Sequence, residues 1–154
     1  MICRNMRYAL ITLSAMSPYA LPALAQTRLL PDQPRRLEEV EAVCTGISLD
    51  ARQDPRWQAY PLKVEVAGKG GQYLGEVTLS LLRQDKEIAT VACDGPWILF
   101  RVPAGRYQLK AETEGRTVTS AAFVPATGQG RVILRFPDVG GEIVPPSQGS
   151  RPDE

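Results

Sequence analysis

Apolar and polar side chains alternate through the middle of this chain. Leu62-Lys63-Val64-Glu65-Val66 puts three apolar residues on one face and two charges on the other, the period of a half-buried strand. Val77, Leu79 and Leu81 alternate with Thr78, Ser80 and Leu82, and Tyr107, Leu109 and Ala111 alternate with Gln108, Lys110 and Glu112. Ile88 to Ala92 and Thr117 to Val124 read as strands, and Arg131 to Phe136 is a last one with Val132, Leu134 and Phe136 on one face. One segment departs from the alternation. From Trp97 onward, Ile98, Phe100 and Val102 share one face while Trp97 and Leu99 begin the other, so this strand is expected to lie inside a sheet.

Turn chemistry separates these runs. Asp94-Gly95-Pro96 precedes Trp97, and Pro103-Ala104-Gly105 leads to Tyr107, which predicts a β-hairpin of the two flanking strands. Gly68 to Gln72 reads as a loose hairpin connection, because no Gly-Lys-Ser/Thr and no helix follows it. Gln84-Asp85-Lys86, Glu114-Gly115 and Pro125 to Gln129 are further turns. The fold class is therefore all-β: seven antiparallel strands in a sandwich or barrel, with one short helix near the N-terminus.

That helix is predicted over Pro55 to Ala59, with Asp54 as its cap, Pro55 at its first position and Pro61 ending it. It sets Trp57 and Tyr60 on nearly one side. Leu37 to Val43 suits either a short helix or a first edge strand.

The ends of the chain read differently. Arg4 and Arg7, an apolar run from Tyr8 to Met16 and Ala23-Leu24-Ala25 form a signal peptide over residues 1–25, too short and too broken by Pro18 and Pro22 to span a bilayer. Residues 26–39 are expected to be a flexible lead-in, 40–136 the folded domain and 137–154 a disordered tail.

With the leader removed, 16 basic residues stand against 17 acidic ones, a balance that argues against a nucleic-acid partner. Cys44 and Cys93 remain, and an even pair in an oxidising compartment predicts a disulfide. A redox or zinc role fits poorly, since there is no C-x-x-C spacing and no histidine. The bridge would bring Trp57 and Tyr60 over Trp97 and Leu99.

The absence of histidine also removes Ser-His-Asp and Cys-His nucleophilic arrangements. Glu76 and Asp94 are the carboxylates available for acid–base work, but Asp94 already serves a turn and Glu76 an outward strand position. No loop has the spacing of a calcium site. Tyr107 is expected to bury its ring and bond its hydroxyl to nearby backbone. No catalytic residue, metal or cofactor is expected.

Five short motifs in order carry a family resemblance. They are Thr45-Gly46-Ile47, Leu62-Lys63-Val64, Gly70-Gly71-Gln72-Tyr73-Leu74, Asp94-Gly95-Pro96-Trp97 and the P-x-G-x-Y turn from Pro103 to Tyr107. Over roughly residues 43 to 136 the chain resembles small periplasmic carboxypeptidase regulatory-like domain proteins. One glycine of the first motif is missing, and a proline interrupts the helical stretch. The resemblance implies a prealbumin-like (transthyretin-like) seven-stranded sandwich, periplasmic or secreted. The histidine-dependent enzymes among its relations would have no catalytic counterpart here.

The expected function is a non-catalytic module with a protein-interaction or envelope-structural role, working through strand edges or loops. The alternative is a small-molecule or glycan binder, or an inhibitor of a secreted enzyme, acting through the Gly68 to Tyr73 loop. Trp97, Tyr73 and Trp57 are the candidate binding residues for it.

Overall fold

The computed structural model describes residues 26–139; the signal peptide expected over 1–25 and the tail from 140 onward lie outside the described residues. The described residues form ten strands in two five-stranded sheets. They are β1 (Thr27–Arg28), β2 (Arg35–Leu37), β3 (Val40–Thr45), β4 (Leu62–Gly68), β5 (Val77–Arg83), β6 (Lys86–Cys93), β7 (Trp97–Arg101), β8 (Gly105–Thr113), β9 (Arg116–Val124) and β10 (Gly130–Phe136). The first sheet has the order β1-β6-β5-β8-β9 and the second β10-β4-β7-β3-β2.

The all-β class holds, but the expectation of seven antiparallel strands is corrected. β1 pairs in parallel with β6, and β10 in parallel with β4, so both sheets are mixed. Local pattern identifies strands but not partners, and strands that change layer between pairings are free to meet in parallel. The extra strands lie towards the N-terminus. Residues 26–39, expected to be a flexible lead-in, contain β1 and β2, and Leu29 between them is buried in the core. Leu37 to Val43 resolves into the end of β2, a turn at Glu38-Glu39 and the start of β3, which pair as a hairpin.

A second correction concerns the segment from Trp97 to Tyr107. β7 lies at the centre of the second sheet between β3 and β4, while β8 lies in the first sheet between β5 and β9. The Pro103-Ala104-Gly105 turn therefore carries the chain across the layers and does not close a hairpin. The cause is visible in composition: a strand apolar on both faces needs two flanking strands and cover above and below, whereas β8 alternates strictly and keeps one face in water. Asp94-Gly95-Pro96 makes the same kind of crossing from β6 to β7. Gly95 is required there, because a Cβ would stand 2.5 Å from the Thr45 carbonyl oxygen.

The inner faces of both sheets meet in one core. Leu62, Val64 and Val66 of β4 and Ile98 and Phe100 of β7 share it with Leu79, Leu81, Leu109, Ala111 and Val124 of the first sheet. Cys44 on β3 and Cys93 at the end of β6 are joined by the expected disulfide, with Cα atoms 5.4 Å apart and a sequence separation of 49. It staples one layer to the other and stabilises the fold by about 4 kcal/mol in the chain-entropy model. Tyr107 behaves as expected, its ring buried and its hydroxyl donating to the Pro103 carbonyl at 2.7 Å. The start of the expected tail is also anchored: Val139 is buried and its carbonyl accepts from the Lys69 N–H at 3.0 Å.

Candidate functional site

The outward face of the second sheet is built by Val43 on β3, Leu99 and Trp97 on β7, Lys63 and Glu65 on β4, and Arg131, Ile133 and Arg135 on β10. Strand alternation puts these side chains opposite the core. Two short helices cover half of it. Ser48 caps α1 (Leu49–Gln53) by accepting from the Ala51 N–H at 3.0 Å, and Asp54 caps a 3-10 helix (Pro55–Ala59) by accepting from the Arg56 N–H at 2.9 Å. The second helix has the bounds and the cap expected from sequence.

These caps place Trp57 and Tyr60 against Val43, Trp97 and Leu99 in a second hydrophobic core, the packing expected from the cystine tether. The Trp57 indole N–H donates to the Ala51 carbonyl at 2.7 Å, and the Gln129 amide ties the Trp57 and Tyr60 carbonyls at 2.7 and 2.8 Å. Tyr60 donates its hydroxyl to Glu41 at 2.8 Å beneath the Arg101 guanidinium. Burial, then the Glu41 hydrogen bond, push the Tyr60 phenol up to about 12, and the same bond is foremost in holding the Glu41 carboxyl below its ordinary range.

The uncovered half is cationic. The glycine-rich connection after β4 is a tight hairpin, with the Gly68 N–H donating to the Gln72 carbonyl at 2.9 Å and the Leu74 N–H to the Val66 carbonyl at 3.0 Å. Gly71 sits at φ +81°, where a side chain would be strained. This hairpin lays Tyr73 edge-on against Trp97, with ring centroids 6.2 Å apart, and the Arg52 guanidinium rests 4.7 Å from the Tyr73 centroid. Lys63 Nζ stands 3.2 Å from the Trp97 centroid and 3.0 Å from Glu65. Arg131 grips Glu65 with two bonds of 2.8 Å. Burial would raise the Glu65 carboxyl, but the Arg131 and Lys63 hydrogen bonds prevail and hold it below its usual range.

Trp57 and Trp97 are 4% and 7% exposed, so these two predicted residues pack the second core and do not meet solvent. Tyr73, at 42% exposed, is the predicted aromatic that does. Sequence reasoning missed Arg52, Lys63, Arg131 and Arg135. The outward positions of Lys63, Arg131 and Arg135 on β4 and β10 were legible, but α1, a second helix beside the one expected, was not, nor was the parallel register that sets Arg131 beside Lys63 and Arg135 beside Ala67.

A different opening lies where the sandwich edge is formed by β6 and β2. β1 covers β6 only at Val91 and Ala92, and among the described residues no strand pairs with Lys86 to Thr90 on that side. A cleft of about 320 Å³ runs there, lined by Thr27, Arg35, Arg36, Leu37, Glu38, Ile88, Ala89 and Thr90.

Glu76 and Asp94 line one shallow cleft of about 200 Å³. Asp94, however, accepts two bonds of 2.8 and 2.9 Å from Arg28, a turn-fixing ion pair. Among the described residues no group of three or more Cys, Asp or Glu side chains is placed to hold a metal ion, and no helix is long and apolar enough to cross a membrane. Compared with protein-family models and with curated proteins, the chain matches none.

Proposed function

We propose that this chain is an exported, periplasmic or secreted, non-catalytic interaction module of the carboxypeptidase regulatory-like, prealbumin-like kind. In this reading it takes an extended segment of a partner protein along the open edge of β6. The observation that carries the reading is the pairing of β6. The Ala92 carbonyl accepts from the Leu29 N–H at 2.9 Å, and the parallel register that sets Thr27 beside Val91 gives the Thr90 carbonyl to β1, so strand alternation turns the Thr90 N–H to the same side, where no described strand meets it. An added strand would satisfy that donor, set apolar side chains against Leu37, Ile88 and Ala89, and favour an acidic residue beside Arg35 and Arg36. The buried cystine supports export, because such bridges persist in oxidising compartments.

The test exploits proline, which is tolerated on an edge strand but cannot donate to an incoming one. A photo-reactive residue at Leu37 is expected to capture a partner chain in the intact cell envelope, and Thr90→Pro to abolish that capture while the protein still melts cooperatively. Capture that survives Thr90→Pro, or that arises equally from Thr119 on the outer face of the first sheet, would refute the edge as the contact.

A further inference from the structure

We propose that the cationic half of the second sheet's outer face, at the edge opposite β2, is a binding site for an organic carboxylate carried beside an apolar group. Four cationic side chains, Arg52, Lys63, Arg131 and Arg135, border this face, and the carboxylate of Glu65 engages two of them, Lys63 and Arg131. On a chain whose charges nearly cancel, that is a concentrated surplus.

The face already demonstrates the chemistry within itself. Arg131 holds Glu65 through a paired fork of 2.8 Å bonds while Lys63 approaches from the other side at 3.0 Å. Glu65 is buried and fully engaged, so it satisfies Arg131 and Lys63 but not the remaining two guanidiniums. Arg52 donates its Nε–H to the Gly46 carbonyl at 2.7 Å, and its terminal nitrogens have no acceptor among the described residues. Arg135 has no acceptor among them either, and its Nη1 lies at the hairpin, 3.8 Å from where a Cβ on Gly71 would stand.

Between these arginines the surface is apolar. Arg135 pairs in register with Ala67, which bridges to Tyr73, so Arg135 and Tyr73 flank one row of the sheet. Ile133, on the neighbouring row beside Glu65, is 42% exposed, as Tyr73 is. The floor is Trp97, whose indole N–H is a buried donor with no partner among the described residues. A carboxylate would bridge the free guanidinium forks, and its apolar body would lie on Tyr73 and Ile133. Guanidinium geometry favours the flat two-oxygen group of a carboxylate, and the two open apolar side chains favour an anion that is more than inorganic.

The experiment uses N-acetyl-phenylalanine, its primary amide and inorganic phosphate as probes, each titrated against the secreted protein and followed by the Ile133 methyl and backbone resonances. The free acid is expected to give saturable shifts at Ile133, Tyr73 and Arg52, and the amide none. Arg135→Gln and Arg52→Gln are each expected to weaken the acid about tenfold, as for loss of a charge-assisted hydrogen bond, and Arg52→Lys to restore part of the loss. Arg116→Gln, on β9 of the other sheet, is expected to change nothing. Equal shifts from acid and amide, competition by phosphate at the same concentrations as the acid, or affinities untouched by both glutamine variants would overturn the site. None of these outcomes depends on the β6 edge.

Discussion

The two sheets turn unlike faces to the outside. The second sheet carries Val43, Leu99 and Trp97 outward under two helical turns, and this cover creates a second core with Trp57 and Tyr60. The first sheet presents Thr78, Gln108, Lys110, Thr119, Ala121 and Phe123, and among the described residues no helix lies above them. The difference teaches what a strand's second face encodes. An outward row of large apolar residues requires a lid, and the chain supplies one in the 16 residues between β3 and β4. An outward row of threonine, serine, glutamine and lysine requires none.

The largest test removes the link that the two layers share. Cys44 belongs to the covered sheet and Cys93 to the bare one, so loss of the bridge loosens both together. Cys44→Ser/Cys93→Ser is expected to lower unfolding free energy by about 4 kcal/mol, with a matching fall for the wild type in reductant. Chemical denaturation with and without reductant measures it; equal midpoints would mean that the bridge contributes nothing. Next in size is the lid. Trp57→Ala is expected to cost about 3 kcal/mol, since it empties the second core and leaves the Ala51 carbonyl without its donor.

Much of this asymmetry was legible in residues. Trp97 to Val102, apolar on both faces, announced a central strand with cover, and Asp54-Pro55 announced the helix that supplies it. The pairing of Cys44 and Cys93 followed from their even count and the expected oxidising compartment. What stayed hidden depended on pairing at a distance. Thr27–Arg28 is too short to stand out as a strand and exists because β6 offers it an edge, and Gly105 looks like a hairpin residue whether the chain folds back or crosses over. The cationic face was hidden for the same reason. Lys63 and Arg131 are 68 positions apart in sequence, and only the parallel register of β4 and β10 makes them neighbours.

Acid separates the faces further. The Glu65 and Glu41 carboxyls, both outward on the covered sheet, are held below their ordinary value of 4.5. A carboxyl depressed in the folded state contributes stability that is present above its unfolded value and is lost as pH falls through the folded one. Stability from these groups is therefore expected to be flat from neutrality to about pH 5 and to decline below about pH 4.5. Glu65→Gln is expected to flatten that decline while costing toward the lower end of the roughly 3–5 kcal/mol of a broken buried pair, because Arg131 can turn out to solvent. Urea unfolding at stepped pH reads both effects. On the bare sheet Lys110 and Glu112 form an exposed pair at 3.2 Å, and Glu112→Gln is expected to cost well under about 1 kcal/mol at any pH.

The smallest effect is the sharpest discriminator. Phe123 is 63% exposed on the first sheet, a large ring on the face that has no lid among the described residues. If that face is complete as it stands, Phe123→Ser removes little buried area, and thermal unfolding is expected to move by no more than about 0.5 kcal/mol in equivalent stability. Its neighbours Ala121 and Thr119 are small, so no collapse of a packed layer follows. A loss as large as that of Trp57→Ala would mean that Phe123 is covered in the working molecule. The contrast between a lidded and an open sheet would then belong to the isolated chain alone.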